Sequence, residues 1–325
     1  MTLQQLKYII ALDKERHFAR AAESCFVSQP GLTLQLKALE EEIGIKIFDR
    51  SIVPLKPTVL GETIIAKAKK VIQEVNAIRD FVIDEKNDLE GEIRIGIIST
   101  LSPYLIPLMI TNMKRVLPKV NFIIKEADTF SLMKELEVGE IDLAIMSTPT
   151  GNKNLREFPV FNEPFVAYLN DSHPQIDLDY FNITEKDKEN LLLLKDEYCF
   201  NAQLLGICNL ENEKTIMRNF SFNINSIETL KNMVRANIGW SIIPELSIFN
   251  EGHNRNYKSF ESPEPVREIS LVVGHYFSKN LVLEKLKEII GDCLPEKLKK
   301  SFHYKKVTWN DSPYFKNALT KKANT

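Results

Sequence analysis

The stretch AAESCFVSQPGLTLQLKALEEEIGIKIFDR, residues 21–50, decides the fold. Inside it, Val27-Ser28-Gln29-Pro30 reads as a helix start, because Ser28 has an N-cap side chain and Pro30 fits the first helical turn. Leu32, Leu36, Leu39 and Ile43 then fall on one stripe while Thr33, Leu34 and Lys37 face the other way. An amphipathic helix therefore runs to about Ile43, and Gly44 ends it. Upstream, Ala19, Ala21 and Ala22 give a short helix, from about Phe18 to Ser24, small faces that let a neighbour approach closely. Ahead of that, Leu3, Leu6, Ile9, Ile10 and Leu12 are spaced for a helix over residues 2–13 with Thr2 as its N-cap. Downstream, IKIFDRSIVPLKPT, residues 45–58, has short apolar runs split by Asp49-Arg50-Ser51 and closed by prolines, which predicts a small β-hairpin. Residues 1–58 read as a winged helix-turn-helix.

Such a module inserts the start of its recognition helix into the major groove of double-stranded DNA, and two copies read a near-palindromic site. At that helix start, Ser28 and Pro30 frame Gln29, which can make paired hydrogen bonds to adenine. Thr33 can reach a base edge or phosphate, and Leu34 a thymine methyl. Lys37, Arg50 and Lys56 would hold phosphates without reading sequence, although each also fits a solvated surface charge. Charge alone does not decide the matter. The chain carries a net charge of −2, and residues 1–60 hold eight Lys and Arg against seven Asp and Glu.

From Thr58 to about Glu85, Leu60, Ile64, Ala68, Val71, Val75, Ile78 and Val82 recur every three or four residues, close to a heptad seam. A linker helix over 59–90 with such a seam is expected to pair with its copy in a dimer. Packing on the chain's own sensor domain is the other reading. Beyond Gly91 the texture changes. Residues 92–100, 120–128 and 141–147 read as strands that alternate with helices over 104–118 and 130–139, a parallel α/β pattern. It resumes with strands at 165–169, 191–194 and 269–274 and helices at 227–237 and 281–294. The expected fold class is α/β, a two-lobed sensor resembling periplasmic binding proteins over 91–294. Lobe I takes about 91–162 and 267–294, and lobe II about 163–266. Residues 295–325 are lysine-rich with little periodicity, and a partly disordered or lightly docked tail is expected.

At 325 residues the chain exceeds a single core, and 44% hydrophobic with 26% charged residues is ordinary for globular protein. The start has no signal-peptide pattern and no run is long and apolar enough to span a bilayer, so the expected location is cytoplasmic, with no membrane partner. Four cysteines are too few for a disulfide framework. Cys25, beside Phe26 and Val27, and Cys293, beside Leu294 and Pro295, read as small buried hydrophobes. Cys199 and Cys208 bracket a segment, residues 196–212, that reads as a short helix and a loop. On spacing alone a redox pair and two incidental core residues both remain open. His17, His173, His253, His275 and His303 lack ligand-like spacing, and no metal or cofactor is expected.

Residues 21–50 resemble the N-terminal module of LysR-type transcription regulators. GEIRIGIISTLSPYLIP at 91–107, Glu126-Ala127-Asp128-Thr129, the pair Cys199 and Cys208, and SIETLKNMV at 226–234 are similar to the hydrogen-peroxide-sensing members of that family. The resemblance covers about residues 1–294. It implies that Cys199 attacks hydrogen peroxide, that Cys208 resolves the sulfenic acid to a disulfide, and that Thr100 and Thr129 hold the peroxide by their hydroxyls. It further implies a redox-switched activator that works with RNA polymerase as a homodimer or homotetramer and is reset by cellular dithiols. Some positions depart from the pattern. The family carries His before the peroxidatic Cys and an Arg-Asp pair soon after it, where this chain has Tyr198 and Phe200-Asn201-Ala202. Gly31 replaces a side-chain-bearing residue and costs about 1 kcal/mol of helix propensity. Three other readings stand beside this one: a LysR-type regulator with an organic effector in the cleft, favoured by Tyr198 and Asn201; a thiol peroxidase, which needs no operator-reading module; and a solute-binding protein, which the missing signal peptide opposes.

Overall fold

The computed structural model describes residues 1–85, 89–184, 187, 190–194, 198–210, 226–252, 255–299 and 303–312. The chain divides into two compact units. One is Met1–Asp88 with Val138–Glu140 and Tyr276–Lys279; the other is Leu89–Glu137, Ile141–His275 and Asn280–Thr325.

In the first unit α1 (Leu3–Glu15) starts at a reciprocal cap: the Thr2 hydroxyl accepts the Gln5 N–H at 3.2 Å and the Gln5 side chain accepts the Thr2 N–H at 2.9 Å. Next come α2 (Phe18–Ser24) and α3 (Gln29–Ile43). Gly44 ends α3 at φ +72°, a left-handed conformation that a side chain would disfavour. β1 (Phe48–Asp49) and β2 (Lys56–Pro57) pair antiparallel as the wing. Leu6, Ile9 and Leu12 of α1 share one core with Ala21 and Ala22 of α2, Leu32, Leu36 and Leu39 of α3, and Phe48. α4 (Val59–Glu85) follows. Its expected seam divides: Ile64 and Ala68 pack on this core, while Leu60, Val71, Ile78 and Val82 are exposed in the single chain.

The second unit opens with β3 (Gly91–Ile98), α5 (Ser102–Val116), β4 (Val120–Ala127), α6 (Thr129–Val138) and β5 (Leu143–Thr148). β3 pairs in parallel with both β4 and β5, as the alternation of strand and helix requires. Gly96 lies so close under α6 that a Cβ there would sit 2.5 Å from Leu132 Cδ2, which fixes α6 and its first residue Thr129 on the sheet. The later strands depart from the expected parallel pattern. β6 (Leu155–Tyr168) and β10 (Glu264–Gly274) pair antiparallel with each other, and β10 runs antiparallel to β5. The predicted strands at 165–169 and 269–274 are parts of these longer ones, because buried runs mark strands without revealing direction. Residues 191–194 form no strand; Leu191 makes a single bridge to Trp240. β7 (Tyr180–Phe181), α7 (Tyr198–Ile207), α8 (Ile227–Arg235), β8 (Ser241–Pro244), β9 (Tyr257–Phe260), α9 (Asn280–Cys293), α10 (Glu296–Lys299) and β11 (Tyr304–Lys306) complete the described elements.

Among the described residues β3 to β11 form one nine-stranded sheet, ordered β4-β3-β5-β10-β6-β9-β7, with β8 on β6 and β11 on β10. β6 and β10 run without a break through the boundaries at 162/163 and 266/267 drawn for the lobes. The tail departs most from expectation: instead of docking lightly, β11 joins β10 in parallel and Trp309 is fully buried. Its last residues, 313–325, lie outside the described ones. Among the described residues no helix is long and apolar enough to cross a membrane.

Candidate redox site and nucleic-acid interface

Cys199 lies in the first turn of α7, the helix end whose dipole favours negative charge. It is 5% exposed and packs with Ala202, Trp309, Phe130 and Met133. Cys208 follows the end of α7, gives its N–H to the Leu204 carbonyl at 3.0 Å, and sits in a different cluster with Phe200, Leu204 and Phe165. The two cysteines are not joined in a disulfide. Nine helical residues span about 2.5 turns and about 13.5 Å. If the helical spacing holds through Cys208, just past the end of α7, the two side chains leave on opposite sides, while a disulfide needs Cα atoms within about 7 Å. Bridging requires α7 to unwind.

Thr100 and Thr129 are both buried. Thr129 begins α6 and precedes Phe130, which touches the cluster; the Asp128 carboxylate caps this turn by accepting the Phe130 N–H at 3.0 Å. The Thr100 hydroxyl accepts from Arg267 Nη1 at 2.7 Å, and its carbonyl accepts from Nη2 at 3.2 Å. Arg267 was not singled out from sequence. Its guanidinium lies 5.9 Å over the Phe200 ring, next to Cys199, and pairs with Glu163 at 2.8 Å, both side chains fully buried. Burial pushes the Glu163 carboxyl up, against the pull of Arg267 and of the Leu246 N–H it accepts. A buried arginine in place of a local His or Arg is one positive charge that this pocket holds.

Asn201, taken as support for an organic-effector site, is buried and donates to the Leu194 carbonyl. The Tyr198 side chain lies outside the described ones. Cys25 is half-buried against the module core, and Cys293, also half-buried, accepts from Asn112 Nδ2 at 3.0 Å.

In the N-terminal unit, Ser28 caps α3 by accepting the Gly31 N–H at 3.2 Å. Gln29, Pro30, Leu34 and Lys37 are exposed along its first turns, with Leu34 at 66%. The Thr33 hydroxyl donates to the Gln29 carbonyl at 2.9 Å, leaving its lone pairs for a DNA donor. Lys56 is exposed on β2. Arg50 has a second duty: it pairs with Glu40 at 3.2 Å and lies 5.7 Å over the Phe18 ring. Phe26 is a residue that sequence reasoning passed over. It is 96% exposed at φ +54° in the turn before α3, an uncommon conformation for an aromatic, and its position in the turn of the motif was the available signal.

Glu40 ties the wing to the recognition helix. Its buried carboxylate accepts the N–H groups of Ile47 at 2.8 Å and Phe48 at 3.3 Å, besides Lys46 and Arg50. Glu40→Ala leaves those amides unpaired, and denaturant titration is expected to show this unit destabilised by about 1–3 kcal/mol per orphaned group. An unchanged midpoint would mean that water replaces the carboxylate.

The model of the bacterial regulatory helix-turn-helix protein, lysR family, matches residues 3–62, and that of the LysR substrate binding domain matches residues 86–287. The hydrogen peroxide-inducible genes activator of Haemophilus influenzae is 34% identical over 274 residues, 84% of this chain and 90% of that one. A cysteine-to-aspartate variant of full-length OxyR from Pseudomonas aeruginosa superposes with TM-score 0.75 at 33% identity, over 89% of this chain and 97% of the other. A cysteine-to-serine variant of Corynebacterium glutamicum OxyR with hydrogen peroxide bound gives TM-score 0.60 at 26% identity, over 90% and 92%. The chain belongs to the LysR family of helix-turn-helix transcription regulators.

Proposed function

We propose that this chain is a cytoplasmic, hydrogen-peroxide-responsive DNA-binding regulator that activates antioxidant genes through a reversible Cys199–Cys208 disulfide. The observation that carries the reading is the placement of the two cysteines at either end of α7 in different clusters, so that joining them and unwinding the helix are the same event. The Cys199 thiolate attacks one peroxide oxygen, the O–O bond breaks, and the other oxygen leaves as water after taking a proton. Cys208 then attacks the sulfenic sulfur and releases a second water. Two electrons pass from the thiols to one peroxide, and dithiol reductants return them. Thr100 and Thr129 hold the peroxide, and Arg267 positions Thr100. One peroxide is spent per switch, so the chain acts as a regulator rather than an enzyme.

Residues 1–58 bind promoter DNA, 59–90 form the dimer helix, 91–294 sense peroxide and 295–325 form the tail. Leu60, Val71, Ile78 and Val82 supply the row that a second copy covers, and homodimers or their tetramers set two reading heads against RNA polymerase. Ser28, Gln29, Pro30, Thr33 and Leu34 face the bases, with Lys37, Arg50 and Lys56 on phosphates. Gln29→Ala is expected to lower discrimination at one base pair by about 1–3 kcal/mol. Lys37→Ala should instead weaken all sequences alike and reduce the salt slope by about 0.9. Fluorescence titrations on operator and scrambled duplexes separate the two.

The direct test is a disulfide map of the reduced protein after brief stoichiometric peroxide, with DNA footprints in both states. A fast Cys199–Cys208 bridge with a changed footprint supports the reading. Thiols that stay reduced, or react no faster than Cys25 and Cys293, sink it and leave an organic effector.

A further inference from the structure

The C-terminal segment grips the same helix that must unwind for the disulfide to form. Residues 303–312 lie beyond both stretches that the family models match. β11 is held edge-on to β10, the Val307 N–H donates to the Val266 carbonyl at 2.8 Å, and Lys306 pairs with Glu268. From this base the segment reaches α7. The Trp309 indole packs on Cys199 and Ala202, Gln203 Nε2 donates to the Val307 carbonyl at 2.8 Å, and a Cβ at Gly206 would lie 3.7 Å from a Val307 methyl. Residues 199, 202, 203 and 206 follow the spacing of one helical face. Trp309 Nε1 donates to the Ser147 carbonyl at 3.3 Å, and Gln203 Nε2 also reaches the Ser147 hydroxyl at 3.1 Å, so strap, helix and β5 are pinned together.

We propose that residues 303–312 are a redox-gated strap, closed on wound α7 in the dithiol protein and released when Cys199 and Cys208 join, with Trp309 as the positioning residue on Cys199. The inference rests on the disulfide reading above. Its added content is physical: the strap's grips on α7 need four residues on one face, and closing about 13.5 Å to within about 7 Å destroys that face. The strap's grip on α7 and disulfide formation are thus mutually exclusive. By linkage the strap favours the dithiol form, and loosening it favours the disulfide. The strap itself takes no part in the bonds made or broken.

The test is hydrogen exchange of the full chain, reduced and after stoichiometric peroxide, with the disulfide mapped in the same samples. Residues 308–312, beyond the base on β10, are expected to be protected in the dithiol form and to exchange faster once the bridge is mapped, while the Val307 amide, bonded to the Val266 carbonyl, reports whether the base holds. Cys208→Ser, arrested at the sulfenic acid, is expected to stay protected. The chain has two tryptophans, so wild-type emission minus that of Trp309→Phe reports Trp309, which should shift red and become quenchable on oxidation. Trp309→Ala is expected to bridge faster and, in thiol–disulfide buffers, to show a several-fold larger constant for disulfide formation. A mapped bridge with unchanged protection and buried Trp309 emission overturns the strap while leaving the sensor reading intact. Absence of any bridge overturns both. If Trp309→Ala fails to fold, wild-type exchange still decides.

Discussion

Arg267→Ala is expected to unfold with a stability loss of about 3–5 kcal/mol, because it leaves the Glu163 carboxylate buried without its cation. The loss should depend on pH. Burial already raises the Glu163 carboxyl above its ordinary value, and without Arg267 it rises further. A group whose folded pKa is raised binds a proton more readily when folded, so its burial is tolerated below the unfolded carboxylate pKa of about 4.3 and penalised as pH rises through the folded value. Denaturant titrations should therefore find the variant deficit smaller at pH 5 than at pH 8. A deficit of equal size at both would show that packing, not charge, is what Arg267 supplies. The double variant Glu163→Leu with Arg267→Met separates stability from reactivity. An apolar pair of similar volume is expected to recover most of the stability. It restores neither the guanidinium over Phe200 nor the donor that fixes the Thr100 hydroxyl, so peroxide-driven bridging should remain slow. Full recovery of the rate would assign Arg267 a purely structural role.

The pattern of the first 58 residues was legible because each local signal agreed with the next. Thr2 and Ser28 cap the helices that their positions suggested, and Gly44 stops α3 in the only kind of conformation where glycine is preferred. The sensor was legible in strand content but not in strand direction, since direction depends on the connection rather than on the residues of the strand. Residues 191–194 show the limit of that signal: four leucines announce burial, and three of them are buried, yet their backbone pairs through one bridge with Trp240. Arg267 was invisible for a related reason. It lies two residues before the strand expected at 269–274, and only the antiparallel pairing of β10 with β6 sets it opposite Glu163. The tail misled because lysines dominate its composition, whereas its attachment depends on a few residues, Val307 and Trp309 above all. Arg50 and Glu40 illustrate a different gap: a basic residue beside a recognition helix suggested phosphate, and a buried carboxylate, unmarked in sequence, gives it an intramolecular partner as well.

The second large effect divides the two cysteines. Cys199→Ser replaces the attacking thiolate with a hydroxyl that has no comparable anion near neutral pH, so fast peroxide consumption should fall to the level of Cys25 and Cys293. Its footprint should stay in the reduced pattern at any peroxide dose that leaves DNA intact. Cys208→Ser should behave differently, because its loss removes the resolving step and not the first. One equivalent of peroxide should be consumed at the wild-type rate, a sulfenic acid should be trapped by a dimedone-type reagent at Cys199, and α7 should remain wound since no bridge pulls its ends together. If both variants lose fast consumption equally, the thiols act as a coupled pair from the outset and the order of attack is wrong. If neither does, the peroxide reacts elsewhere. A clean split would place chemistry at Cys199 and shape change at Cys208, and the helix between them would be the element that converts one into the other.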